Sequence, residues 1–300
     1  MAISGVIVPT VTALTDEEVF DETGQRRLIK YLADNGVNAV FALGLTGEVD
    51  LLSNSTRRRV MEVTAETVDE IRTQGGTIEA LLGVNGDTSE ETLENINYAN
   101  ELPVSGIVVQ PSKISIDINA FLEAVGGVSK LLIYLYANPA TALDKKELLT
   151  PEIAQTISQN PKFSGLKVSD AFSELERYCR FSYANGFGLY FGNAIDIFRA
   201  NGALLTRPRG VITGPGNAFP QIWKKAWESK DAQERERIKE FCEDFQRIYN
   251  GIPSGKNTIA AIKYILHLNE ILDSPRCRAK NLTDGDKRYI EERYGLLSGK

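Results

Sequence analysis

Short, unbroken apolar runs alternate along the chain with longer stretches in which apolar residues recur every three or four positions. The runs are GVIVPT from Gly5, AVFALG from Ala39, IEALLGV from Ile78, GIVVQP from Gly106, LLIYLYA from Leu131, FSGLKVS from Phe163, GLYFGN from Gly188 and RGVITG from Arg209. Runs without polar interruption are the pattern of parallel strands covered on both faces, and the intervening period is that of amphipathic helices. Eight such units, ending near Ser229, predict an α/β fold, a closed (β/α)8 TIM barrel over residues 1–229. An open doubly wound sheet is the competing arrangement, but no G-x-G-x-x-G follows the first run.

The helical stretches carry their own start and stop signals. In STRRRVMEVTAETVDEI, Val60, Val63, Val68 and Ile71 mark one face, and Ser55 or Thr56 offers a cap. In TPEIAQTIS, Thr150 can cap, Pro151 suits the first helical position and Glu152 faces the positive helix end. GDTSEETLENINYANEL and DAFSELERYCRFSYANG have the same character, the second expected to close at Gly186. From about Asp231 only helices are expected, a C-terminal extension over residues 230–300 packed on the barrel.

At 300 residues and 42% hydrophobic content the chain can bury such a core. Its apolar stretches fall far short of the ~18 residues of a membrane span, and MAISGVIVPT lacks the basic start of a leader, so a cytoplasmic protein with no membrane partner is expected. Cys179, Cys242 and Cys277 match no metal-ligand spacing and read as reduced structural thiols. The single histidine, His267, reads as a packed or capping residue and excludes a histidine-rich metal site. A net charge of −6 without a basic block argues against nucleic acid, and Arg57, Arg58 and Arg59 read as a solvated helix face. Small-molecule chemistry is the default that remains.

The chemistry centres on GLKVSD in the sixth run. Strand side chains alternate, so if Leu166 and Val168 pack outward, Lys167 points into the barrel. Burial disfavours a charged amine, and a neutral amine attacks carbonyls to give a Schiff base. The plain alternative is a lysine whose stem lies on apolar surface and whose head reaches water. Three other strand ends share its face. ALGLTGE offers Gly44, Thr46 and Gly47 as a turn able to bind a carboxylate, or simply to turn the chain. YLYANPAT places Tyr134 and Tyr136 on one face, as proton shuttles or as core. GVITGPGNAFP has Gly214 and Gly216 for close approach to a ligand or for the turn into a helix.

In this order, G-x-T-G-E, L-Y-x-N-P, G-L-K-x-S and G-V-I-x-G-x-x-N-x-x-P, the chain resembles the lysine-dependent pyruvate aldolase superfamily of dihydrodipicolinate synthase, N-acetylneuraminate lyase and 2-keto-3-deoxygluconate aldolase. The resemblance implies a TIM barrel with a helical C-terminal region, assembled as a homo-oligomer, a tetramer or a dimer. It implies that Lys167 forms an imine with pyruvate and that Tyr136 shuttles protons. Thr46 and the amides of Gly44, Leu45 and Gly47 would hold the pyruvate carboxylate, while Gly192 and Ile212 shape the pocket. An aldehyde would be the second partner, and no cofactor is required.

Four positions depart from the family pattern. Leu45 stands where a threonine usually joins the proton relay, and Ser112 and Lys113 stand where two tyrosines are common. Thr141 replaces the arginine by which dihydrodipicolinate synthase holds its second substrate. The nearest resemblance is therefore to aldolases of 2-keto-3-deoxy sugar acids. The alternatives are a dehydratase or synthase working through the same imine, and a catalytically impaired barrel that binds a 2-oxo acid.

Overall fold

The computed structural model describes residues 2–114, 117–143, 149–199 and 206–298. Its eight strands are β1 (Gly5–Pro9), β2 (Ala39–Ala42), β3 (Glu79–Gly83), β4 (Gly106–Val109), β5 (Leu132–Ala137), β6 (Phe163–Val168), β7 (Gly188–Phe191) and β8 (Gly210–Ile212). All pair in parallel in sequence order, and β1 pairs with β8 to close the barrel. Each falls within one of the eight apolar runs. Parallel neighbours need a long crossover, which the helices supply: α1 (Glu22–Asp34), α2 (Asn54–Thr73), α3 (Ser89–Ala99), α4 (Ile118–Val128), α5 (Pro151–Ile157), α6 (Phe172–Cys179) and α7 (Pro220–Glu228). Between β7 and β8 the described residues hold a 3-10 turn, Ala194–Phe198.

Alternation along the strands sorts the apolar residues into two cores. Ile7, Phe41, Leu81, Val108, Tyr134, Tyr136, Tyr190 and Ile212 fill the barrel interior, whereas Val6, Val40, Leu82, Ile107, Leu135, Leu166, Val168 and Val211 face the helices. The floor of the interior is closed by the chain itself. The Ile3 N–H donates to the Tyr134 hydroxyl at 3.0 Å, and the Tyr190 hydroxyl donates to the Ile3 carbonyl at 2.6 Å. Gly165 makes room for this arrangement, since a Cβ there would lie 2.6 Å from the Tyr190 ring.

Helix ends follow local chemistry, with two differences from expectation. The α2 cap is Ser53, not Ser55 or Thr56; its extended backbone lets its hydroxyl accept from the Thr56 N–H at 3.2 Å. Helix α6 ends at Cys179 rather than at Gly186. The carbonyls that a further turn would use are taken: the Tyr183 hydroxyl donates to Tyr178 O at 2.8 Å and the Thr206 N–H to Cys179 O at 2.9 Å. Thr150 caps α5 ahead of Pro151, as the motif predicts.

Three more helices follow, α8 (Ala232–Asn250), α9 (Thr258–Leu268) and α10 (Asp284–Ser298). Helix α8 docks through Phe241 and Phe245, which pack edge-on against Phe219 with centroids 5.1 and 4.9 Å apart. Among the described residues no helix is long and apolar enough to cross a membrane. The three cysteines are free and buried, and burial pushes each thiol up to about 12, away from reactive thiolate chemistry. His267 bonds through Nδ1 to the Leu272 carbonyl at 3.1 Å in the last turn of α9, a packed residue.

Candidate active site

Lys167 lies near the carboxyl end of β6, with its inward direction set by Leu166 and Val168 in the outer core. Only 9% of the residue is exposed, so nearly all of the side chain is packed within the barrel. Register pairs it with Tyr136 of β5 on one side and Tyr190 of β7 on the other. Its Nζ stands 3.9 Å from the centroid of the Tyr136 ring and 5.8 Å from that of Phe41. Such ring faces attract an ammonium by roughly 0.5–2 kcal/mol, without fixing it as a carboxylate partner would.

The two candidate tyrosines of β5 separate cleanly. The Tyr134 hydroxyl belongs to the floor, where burial raises it above the ordinary phenol value despite the bond from Ile3. Tyr136 is the one beside the lysine, and its hydroxyl accepts from Asn138 Nδ2 at 3.2 Å.

The GLTG turn follows β2. Residues Leu45–Gly47 form a 3-10 turn closed by the Gly47 N–H on the Gly44 carbonyl at 2.9 Å. Leu45 and Thr46 open that turn, positions whose N–H groups find no acceptor within it. Phe41 joins turn and lysine: the ring that faces Lys167 Nζ would lie 3.0 Å from a Cβ on Gly44. Across the mouth, a Cβ on Gly214 would lie 3.4 Å from Thr46 Oγ1. Leu45 itself packs on the interior cluster.

Left-handed backbone at Leu43 (φ 60°) and Glu48 (φ 55°) brackets the turn. Glu48 is held there by a buried ion pair. Its carboxylate accepts from Lys263 Nζ of α9 at 2.7 Å and from the N–H groups of Arg278 and Ala279 at 2.8 and 3.0 Å. Both side chains are almost wholly buried, and Lys263 also donates to the Arg276 carbonyl at 2.8 Å.

Strands β7 and β8 complete the mouth. Gly192 donates its N–H to the Val168 carbonyl at 2.8 Å; a Cβ would fall 2.1 Å from Ser169 Oγ, so only glycine lets β7 pass this close behind the lysine. Ile212 lies in the interior cluster. Asn217 is fully buried and ties the mouth together, donating to the carbonyls of Pro9 and Gly214 and accepting from the Val11 N–H. A polar cavity of about 380 Å³ opens beside Gly192 and Gly214, with Asn193, Asp196, Arg199 and Gln246 in its lining. Desolvation raises the Asp196 carboxyl above the usual range, against the pull of Arg199 at 3.2 Å.

Among the described residues, the others singled out in the sequence make no bond to the lysine. Lys113 pairs with Asp50. Ser112 is buried with its hydroxyl unpartnered, and Thr141 accepts from Gln110 Nε2. Arg57 is a correction: it is buried, not solvated, donating to the Val49 carbonyl at 3.0 Å and to Asp87 at 2.9 Å. Its burial comes from the 3-10 turn Val49–Leu51, which folds over the start of α2 and needs a donor. Glu48, Asn138, Asn217 and Lys263 escaped the sequence reading. The first three stand inside quoted motifs, and a lysine in the apolar stretch AAIKYIL was a signal for the last.

A closed parallel barrel with a buried lysine stacked on a phenol of the adjoining strand defines a class, that of lysine-bearing (β/α)8 barrels. Within it the chain belongs to the dihydrodipicolinate synthetase family, whose model matches residues 2–291. The 4-hydroxy-tetrahydrodipicolinate synthase of Staphylococcus saprophyticus is 24% identical over 97% of this chain and 95% of its own. The prophage protein YagE of Escherichia coli K12, solved in complex with pyruvate, superposes with a TM-score of 0.84 at 24% identity, over 98% of both chains. A sialic acid aldolase of Ruminococcus gnavus, solved as a catalytic lysine mutant, gives 0.86 at 20% identity over 99% of this chain and 96% of that one.

Proposed function

We propose that this protein is a pyruvate-dependent class I aldolase, a carbon–carbon lyase that cleaves or forms a 2-keto-3-deoxy sugar acid or a related 2-oxo acid. The observation that carries the reading is the pairing of Lys167 with Tyr136, Nζ to ring, at 3.9 Å. The Lys167 amine adds to the C2 carbonyl and water leaves, giving a protonated imine. In cleavage a base takes the C4 hydroxyl proton, the C3–C4 bond breaks, and its electron pair passes into the imine as an enamine while an aldehyde departs. Protonation at C3 and hydrolysis release pyruvate. Because the imine is the electron sink, no cofactor enters the scheme.

In this reading Tyr136 carries the protons, and the Leu45 and Thr46 amides with the Thr46 hydroxyl hold the carboxylate. Gly44 and Gly47 shape that turn, and Gly192 and Ile212 shape the pocket. Thr141, engaged with Gln110, offers no positive charge to a second carboxylate, which favours an aldolase over a synthase. A homo-oligomer, tetramer or dimer, belongs to the same proposal.

Borohydride trapping with pyruvate tests it. One pyruvate-derived adduct on Lys167 is expected by mass spectrometry and none on Lys167→Ala; absence of the adduct, or its persistence in the variant, sinks the reading. Product analysis with a panel of aldehydes and 2-oxo acids separates aldol cleavage from dehydration. One observation favours a second reading, a barrel that binds a 2-oxo acid without turnover: Leu45 has no group to carry a proton where the family's relay has a hydroxyl.

A further inference from the structure

With Leu45 unable to hydrogen-bond, the phenol beside Lys167 needs another partner, and the strand end supplies one. Residues 136 and 138 are two apart on extended backbone, so their side chains fall on one face. Asn138 is buried, and its Nδ2 lies 3.2 Å from Tyr136 Oη. The orientation of its amide is fixed independently. The Ala140 N–H, in the 3-10 turn Pro139–Thr141, points at the other end of the amide at 3.2 Å, and only an oxygen can accept it. The NH₂ end therefore faces the phenol as a donor.

The donor is also braced. Thr141 donates its N–H and its hydroxyl to the Asn138 backbone carbonyl at 3.3 and 3.4 Å, and Gln110 Nε2 in turn bonds to Thr141 Oγ1. Gln110 is locked to Asn85 through both of its own backbone groups. The resulting chain runs from the end of β3 through β4 to the phenol. This also gives Thr141 a place, since it holds the Asn138 backbone from which the side-chain amide projects.

We infer that Asn138 is the positioning residue for Tyr136, standing in for the relay threonine that this chain lacks. The Asn138 N–H occupies one lone pair of Oη and so fixes the phenol beside Lys167, whose Nζ lies over its ring. When Tyr136 gives its proton up, the same N–H stabilises the phenolate. An amide cannot pass a proton on as a threonine hydroxyl can, so the relay ends at Tyr136.

The inference rests on the imine reading, and one assay separates the two. Exchange of the pyruvate methyl protons for deuterium, followed by NMR, needs only the imine and enamine: C3 loses a proton to a base, regains a deuteron, and the imine hydrolyses. It needs no second substrate. Asn138→Asp keeps the oxygen that caps Ala140 but presents an acceptor to the phenol, and Asn138→Ser keeps a capping oxygen too short to reach it. Both are expected to fold, by circular dichroism, and to trap with borohydride, yet to exchange about 10- to 100-fold more slowly than the wild type. In a Tyr136→Phe background Asn138→Asp should cost less than about twofold further, because the two residues act as one unit. Wild-type exchange matched by both variants overturns the inference alone, as does a full loss repeated on top of Tyr136→Phe. Wild-type protein that neither traps nor exchanges overturns the imine reading and this inference with it.

Discussion

At the scale of single residues, the proposal turns on what surrounds one amine and one phenol. Lys167 contacts ring faces, and among the described residues no acidic group has to be displaced before it meets a carbonyl. Tyr136→Phe removes the phenol oxygen while leaving the ring on which the lysine rests. It should therefore lower kcat by about 10²- to 10⁴-fold and change KM for the 2-oxo acid little, which steady-state kinetics will show. Lys167 was legible in the sequence because a polar residue inside an otherwise apolar strand is conspicuous. Arg57 was misread for the converse reason. A basic run on a helix is usually solvated, and only the turn folded over it makes one member a buried donor. Tyr134 and Tyr136 were equivalent by alternation; the Ile3 backbone, distant in sequence, distinguishes them.

Among the elements, strands were the most legible, since an unbroken apolar run is what a barrel strand must be. Helix ends were less so. The termination of α6 depends on Tyr183 and Thr206 reaching back to its last carbonyls. The mouth turn was legible as a turn but not as an anchored one. Glu48→Ala strands the Lys263 ammonium in the protein interior and should cost about 3–5 kcal/mol in urea denaturation. Helix α10 carries a pH signature. Thr283 and Asp286 form a reciprocal box, the Thr283 hydroxyl accepting from the Asp286 N–H and the Asp286 carboxylate accepting from the Thr283 and Ser254 N–H groups. Burial pushes that carboxyl up, but these bonds outweigh it and hold it at about 2. Because the folded value lies below the unfolded one of ~3.9, the stabilisation is complete above about pH 4 and fades as pH falls toward 2. Acid titration of stability should show this loss in the wild type and a flatter profile across that window in Asp286→Asn.

For the whole molecule, the barrel supplies a rigid ring whose strand ends converge on one mouth, and the loops and last helices finish it. A ligand that binds only this finished state stabilises it by mass action, about 2.7 kcal/mol at a hundredfold excess over its Kd. Pyruvate should accordingly raise the Tm of the wild type and leave that of Lys167→Ala nearly unmoved in a thermal shift assay. Stabilisation of the wild type without turnover of any aldol substrate would select the binding-only reading.

The link between Glu48 and Lys263 joins positions 215 residues apart, and its consequence lies in the order of assembly. Contacts of such sequence separation form late, after local helices and neighbouring strand pairs. While the chain is being made, the turn that would receive a carboxylate waits unfastened until α9 arrives. A chain halted before Thr258 would hold every strand and still lack a set mouth. The mouth turn is thus fastened only once nearly the whole chain is present.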